Sequence, residues 1–434
     1  MNYWYLIRIF DRLMRGYDGS AALRPWNNTL HALVEESPTF TLVVRNPALL
    51  RRLLIERNPL LLADAYFRGV LDFEGDLYSA ISLKTHFERL SLTWRDKLAL
   101  LRDAWRLPAK PDANLKPADT MASRIARRFS HSHSKDSDRA AISFHYDVSN
   151  EFYRLWLDEE RVYSYSCAYF TSADESLDQA QRNKLEHICR KLRLRPGERL
   201  LDIGCGWGAL ICGAAEHYGV NAHGITLSQN HYEHVQRTIQ RRGLEQKVSV
   251  ELLDYRDLQG EAGYDKLVSV GMFEHVGLKN LPAYFAIAHR LLKLGGLFLN
   301  HGITSDEGGW KKSVATEFIN RYVFPDGQME TISMVQQIME DADFEIHDVE
   351  GLRQHYALTL REWVSRLEER REEALKYVTE PVYRIWRLYM AACALQFEEG
   401  CAGDIPSSDF QARSAFQLDS AHAARSLSTA TLNQ

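Results

Sequence analysis

The segment Leu200-Leu201-Asp202-Ile203-Gly204-Cys205-Gly206-Trp207-Gly208 constrains the fold of this chain more than any other. Leu200 to Ile203 reads as a buried strand. Three glycines spaced one apart follow, and a helix is predicted to start at Ala209. Such a strand–Gly loop–helix turn brings backbone N–H groups against a ligand at a helix N-terminus. The Gly-x-Gly-x-Gly spacing is not the Gly-x-Gly-x-x-Gly of dinucleotide sites, which also need an acid after the second strand. Here that strand, Val220–Ile225, ends in Thr226-Leu227-Ser228. A nicotinamide cofactor is disfavoured, and Asp202 ahead of the loop suggests a different adenosyl ligand.

The pattern around this turn alternates between α and β. A helix over Leu177–Leu192 precedes it, and strands are predicted at Val248–Leu253, Leu267–Val270, Leu297–Asn300 and Phe344–Val349. This predicts an α/β, doubly wound, Rossmann-like parallel sheet. A long insertion, Thr304–Thr331, follows the Leu297 strand. Helices over Thr359–Tyr377 and Pro381–Glu399 come near the end, and Gln411–Leu418 reads as a last antiparallel strand. The Ala- and Ser-rich stretch from 419 to 434 reads as a frayed tail.

Residues 1–107 read as a smaller α+β domain, with a strand at Thr39–Arg45, a helix at Ala48–Arg57, a segment Leu71–Gly75 and a helix at Asp76–His86. The N-terminal segment carries Tyr3, Trp4, Leu6, Ile7, Ile9, Phe10, Leu13 and Met14, with Arg8, Asp11, Arg12 and Arg15 on one helical face. It suits either an interfacial amphipathic helix or a helix packed on its own domain. Residues 108–139 read as a linker broken by Pro108, Pro111 and Pro117. Its basic residues Arg124, Arg127, Arg128, Lys135 and Arg139 suit either a solvated tether or a contact with anionic lipid headgroups. The catalytic domain is assigned to 140–418.

The net charge of −5 over 434 residues argues against a nucleic-acid partner, since any attraction to phosphate must come from a local patch. The six cysteines, Cys167, Cys189, Cys205, Cys212, Cys393 and Cys401, form no CxxC pair and no zinc spacing. With no signal peptide and no apolar run near ~20 residues, the expectation is a cytoplasmic protein with reduced thiols and no metal.

In an open α/β sheet, ligands bind beyond the carboxyl ends of the strands. That rule selects the Gly loop, then Thr226 and Ser228, then Asp254-Tyr255, then Gly271 to Gly277 with Glu274, and then His301-Gly302-Ile303. Asp202 and the loop amides suit the amino-acid end of an adenosyl cofactor, Thr226 the ribose, and Asp254 the adenine amine. Trp207 and the Tyr163/Tyr165 pair suit a sulfonium by cation–π attraction, although for any one aromatic alone core packing is the better reading. The candidate cofactor set is Tyr163, Ser164, Asp202, Gly204, Gly206, Gly208, Thr226, Ser228, His231, Asp254 and Tyr255.

Phe144-His145-Tyr146-Asp147-Val148-Ser149-Asn150, Tyr163 to Phe170, Leu201 to Gly208 and Ser269 to Gly277 resemble the cyclopropane-fatty-acid synthase family. The likeness continues through Phe324-Pro325-Asp326-Gly327 to Ala391-Ala392-Cys393-Ala394. It covers residues 140–400, extending weakly into the first domain through Arg45-Asn46-Pro47 and Tyr66 to Asp76. The resemblance implies methyl transfer from S-adenosylmethionine to a cis double bond of a membrane phospholipid acyl chain. A carbocation and loss of a proton would then close a three-membered ring. It implies a bicarbonate ion as base, held by Cys167, Glu274, His301, the Ile303 backbone and Tyr356. Cys393 matches a reactive family cysteine, but no step needs a thiolate. His231 departs from the Gln common in the family, which alters a ribose contact or substitutes another donor.

The resemblance also implies a homodimer at the inner membrane surface, with the first domain facing lipid or a second copy. Three other readings compete with a cyclopropane product: a methyl- or methylene-branched chain, a small-molecule methyltransferase, and a lipid-binding module without catalysis. The intact Gly loop, Glu274 and His301 argue against the last.

Overall fold

In the computed structural model, Leu200 and Leu201 are fully buried and Asp202 and Ile203 nearly so, as a strand covered on both faces requires. The residues described are 3–56, 60–107, 133–146, 149–158, 162–306, 308, 313–324 and 327–399. All of them lie in one unit, Met1–Ala402.

The strands, in chain order, are β1 (Ala21–Pro25), β2 (His31–Ala32), β3 (Phe40–Val44), β4 (Leu71–Gly75), β5 (Arg199–Ile203), β6 (Asn221–Thr226), β7 (Val248–Leu252), β8 (Tyr264–Val270) and β9 (Leu292–His301). The last five form one sheet, ordered β7-β6-β5-β8-β9. Every neighbouring pair in it is parallel. The chain runs outward from β5 through β6 to β7, then returns to add β8 and β9 on the other side. The order therefore reverses between β5 and β8, the position where such sheets open a ligand crevice. One face buries Ile188, Ile211, Val220 and Val235; the other buries Leu201, Phe273, Tyr284 and Phe285.

The Phe344–Val349 strand does not form. Its alternating burial persists at Phe344 and Ile346, but the segment joins no ladder. Its polar ends are instead tied by side chains: Lys191 meets Asp348 and Glu350, and His187 meets Glu350 at 2.8 Å. The Thr359–Tyr377 helix begins earlier, at Arg353, and ends at Glu369 before a short Arg371–Ala374 turn of helix. The Gln411–Leu418 strand lies outside the described residues, as do Cys401 and residues 108–132 of the linker. The linker's last part is already helical from Lys135, in a helix that runs to Tyr146.

The smaller sheet is mixed, ordered β2-β1-β3-β4, with β1 and β3 parallel. The Asp76–His86 helix is two pieces, Leu77–Ile81 and Leu83–Arg89, meeting at Ser82. The helix Tyr3–Leu13 takes the packed form of the two readings above. Leu6, Ile7, Ile9 and Phe10 are buried against the sheet core, which corrects the interfacial reading for that face. Its Arg8 and Arg12 pair with the buried Asp103, and Arg12 and Arg15 with Asp96. Toward the larger sheet, Tyr66, Phe67 and Leu77 join an aromatic cluster with Trp156, Trp363 and Trp386. Arg384 binds both oxygens of Asp72 and the Tyr66 carbonyl.

Candidate active site

The Gly loop can turn as it does because of two close approaches. Gly208 sits at φ +81°, and a Cβ there would lie 2.9 Å from Val235. Gly204 sits at φ +91°, where a Cβ would lie 3.0 Å from Met272, across the β5/β8 reversal. The helix Ala209–Tyr218 starts directly after the loop.

A cavity opens at this reversal. It is lined by Tyr163, Ser164, Asp202, Gly204, Gly206, Thr226, His231, Asp254 and Tyr255 of the candidate cofactor set. Gly208 and Ser228 do not line it. Gly208 lets the loop pack on Val235, and the buried Ser228 caps the Gln229–Arg242 helix by accepting from the His231 amide. Glu274, His301, Ile303, Tyr356, Cys167 and Cys393 also lie off its walls.

The aromatic wall is continuous. The Tyr163 ring lies 4.6 Å from Trp207, and the His231 ring meets Trp207 edge-on at 4.3 Å. The Tyr163 hydroxyl donates to the Asn150 carbonyl, and the Trp207 indole N–H to the Asn150 side chain. Burial pushes His231 down to about 3, so it stays neutral. At the far end Asp254 accepts from Arg256, which also holds Asp138 on the Lys135–Tyr146 helix. Asp254 is therefore already engaged, while the Tyr255 hydroxyl is buried without a partner. Tyr255 lines the same cavity as Thr226 and the Gly loop.

Sequence reasoning missed Lys184. It is buried on the Leu177–Lys191 helix and lines the cavity. Its ammonium donates to Ser164 Oγ at 2.5 Å and to Ser166 Oγ at 3.0 Å. Burial pulls it down to about 8, opposed by the nearby carboxylates of Asp158 and Asp202. Burial raises Asp202 to about 7, against the pull of Lys184. The signal was present in the sequence: Leu177, Ala180, Gln181, Lys184 and Ile188 share one helical face. A lysine in such a stripe is buried with its charge. Arg256 and Asp138 on the cavity wall were missed as well, whereas Met272 and His275 fall within the Gly271–Gly277 stretch selected from the sequence.

The residues that the resemblance implies for holding bicarbonate lie off the cavity walls, in two groups. Glu274 and Ile303 meet directly: Glu274 Oε1 accepts from the Ile303 amide at 2.7 Å. Glu274 Oε2 is buried without a partner, and burial raises the carboxyl to about 7. His301 ends β9 opposite Val270, its carbonyl accepting from the Gly271 amide. Burial lowers it to about 4, so its imidazole is neutral.

Cys167 and Tyr356 form the second group, joined by the Arg353–Glu369 helix. Thr359 Oγ1 accepts from the Ala168 amide, and His355 Nδ1 from the Phe170 amide. The Cys167 thiol donates to the Ala168 and Leu352 carbonyls. Tyr356 packs on Phe397 at 4.8 Å. His187 is stacked on Tyr169 and bonded to Glu350 at 2.8 Å, and Tyr169 stacks in turn on His355 of the same helix. Cys393 lies on the Glu380–Glu399 helix, where burial raises its thiol to about 12. Among the described residues no cluster of His, Cys, Asp or Glu is arranged to hold a metal ion.

A parallel sheet of this order, with a Gly loop and a cavity at its reversal, fits an S-adenosylmethionine-dependent methyltransferase. Comparison with known proteins narrows the class. The chain belongs to the mycolic acid cyclopropane synthetase family, which it matches over residues 133–404. It is 42% identical over 368 residues to a probable fatty acid methyltransferase of Pseudomonas putida, covering 84% of this chain and 85% of that one. Among solved structures it is similar to the cyclopropane synthase MmaA2 from Mycobacterium tuberculosis, with a TM-score of 0.56 at 35% identity, covering 60% of this chain and 93% of that one. The mycolic acid cyclopropane synthase CmaA1 complexed with SAH and CTAB superposes with the same TM-score at 36% identity and the same coverage. The enzyme is thus a methyltransferase of the cyclopropane synthase type that modifies lipid.

Proposed function

We propose that the enzyme adds a methylene from S-adenosylmethionine across the cis double bond of unsaturated phospholipid acyl chains, giving cyclopropane fatty acids. The observation that carries this reading is Glu274, a buried carboxyl with one oxygen on the Ile303 amide and the other unpartnered. An alkene needs no activated nucleophile on the protein, but it does need a dry, aligned site and a way to remove a proton.

S-adenosylmethionine supplies an electrophilic methyl on a sulfonium. Lys184, Ser164 and Asp202 face its amino-acid end in this reading, and Thr226, His231 and Tyr255 its nucleoside. Tyr163 and Trp207 present ring faces to positive charge. Transfer of the methyl to one alkene carbon would break the S–CH3 bond, release S-adenosylhomocysteine as the neutral thioether and leave the positive charge on the other alkene carbon. Loss of a proton from the added methyl then provides the electron pair that closes the ring. The residues suit a bound bicarbonate ion as a small base: Glu274 offers its open oxygen, His301 a neutral imidazole, and Cys167, Ile303 and Tyr356 the remaining surroundings.

Methyl-labelled S-adenosylmethionine and phospholipid vesicles test this with the purified protein. The label is expected in the acyl chains, whereas label only in a water-soluble acceptor would refute it. The kinship with a probable fatty acid methyltransferase favours a second outcome on the same site, a methyl-branched chain. The two differ in which proton leaves.

A further inference from the structure

We propose that the helix Trp94–Trp105, packed on the Tyr3–Leu13 helix, docks the enzyme onto a bilayer carrying anionic lipid headgroups. This rests on the reading of the substrate as membrane lipid. The helix has two apolar faces. Leu100 and Ala104 are buried, together with Asp103, where the helix packs against Tyr3–Leu13. The other face carries Trp94, Leu98, Leu101 and Trp105, spaced four, three and four, which falls on one stripe at 100° per residue. Trp94 is 67% exposed, Leu98 57% and Trp105 63%. Contiguous exposed apolar surface of this kind marks an interaction site.

The charges around the stripe select its occupant. The helix has two acids, and both are turned inward. Asp96 closes the capping box with Thr93 and meets Arg12 and Arg15, while Asp103 is fully buried beside Arg8 and Arg12. The exposed charged residues of the segment are all basic: Arg95, Lys97, Arg102 and Arg106. Arg95 lies over the Trp94 ring, and Arg51, from the Pro47–Glu56 helix, over Trp105. Tryptophan and leucine flanked by arginine and lysine match the headgroup layer, where indole rings sit at the boundary and cations meet lipid phosphates. A second copy of this chain would set the same basic rows against each other.

Co-sedimentation with vesicles tests the proposal on the full-length protein. Phosphatidylglycerol-containing vesicles are expected to bind the wild-type chain, and phosphatidylcholine vesicles to bind it more weakly. The triple variant Trp94→Glu, Leu98→Glu, Trp105→Glu is expected to lower the partition coefficient by about tenfold or more, since it exchanges interfacial apolar side chains for charges that anionic headgroups repel. Its substitutions are on the exposed face, so its thermal unfolding is expected to match wild type. Unchanged vesicle binding in the folded triple variant would overturn the proposal. So would a change in sedimentation behaviour without vesicles, which would make the stripe a face between copies. Turnover of detergent-dispersed phospholipid reads the substrate assignment separately, and the variant is expected to keep it.

Discussion

Glu274 Oε1 accepts a hydrogen bond from the Ile303 amide at 2.7 Å, tying the loop after β8 to the residues that follow β9. The bond holds a carboxyl at the carboxyl edge of the sheet while burial raises it from 4.5 to about 7. A carboxyl whose folded value is raised contributes fully below its unfolded value and loses that contribution as pH rises through its folded value. The expected window is therefore pH 4.5 to 7, and the size about 3 kcal/mol at 1.36 kcal/mol per unit. Glu274→Gln keeps an acceptor for Ile303 and cannot ionise. Its stability relative to wild type is expected to rise by that amount between pH 4 and 8 in unfolding of the ligand-free protein, while turnover falls. A difference that stays flat with pH would count against the burial account.

The glycines of the loop are unequal. Gly208→Ala combines a left-handed backbone with a clash on Val235 and is expected to cost about 2–3 kcal/mol. Gly206, at φ +52° with nothing near its Cβ position, is expected to cost about 1 kcal/mol as Ala. Urea unfolding of both variants checks the order, and equal losses would remove the packing role assigned to Gly208.

Lys184 is the buried cation of the cavity wall. Lys184→Met leaves Ser164 and Ser166 without their shared donor and takes the nearby positive charge from Asp202. A charge-assisted hydrogen bond contributes about 1.5–3 kcal/mol, so affinity for S-adenosylhomocysteine is expected to fall about 10–100-fold by calorimetric titration. Wild-type affinity in the variant would show that Lys184 serves folding alone.

These residues show what a sequence can and cannot reveal. The turn from β5 through Gly208 was legible because strand, glycines and helix are adjacent in the chain and obey one local geometry. Glu274 and His301 were legible because strand ends in such a sheet share an edge. Lys184 was overlooked because its helix precedes β5 and only packing turns it toward the cavity, although its place in an apolar stripe was a readable sign. The Phe344–Val349 segment has a strand's alternation, but ladder pairing depends on a neighbour that periodicity does not reveal. The Tyr3–Leu13 helix was ambiguous for the same reason: its moment fits a membrane or a sheet equally, and the buried Asp103 that receives its arginines lies ninety or so residues away.

Cys393 sits among Trp386, Tyr389 and Met390 with its thiol raised to about 12 by burial. A neutral thiol is a poor nucleophile. Cys393→Ser is expected to keep most of the turnover while losing about 1–2 kcal/mol of stability from the buried hydroxyl. Abolished turnover at wild-type stability would assign the thiol a chemical role.

The acyl chains themselves test the central claim most directly. Mass spectrometry of phospholipids from a host lacking such an enzyme, with and without expression of this chain, reads the product. The account predicts that unsaturated chains gain the mass of one CH2 and that NMR shows ring protons in place of the double bond. Unchanged acyl chains in cells holding folded, S-adenosylmethionine-binding protein would contradict it.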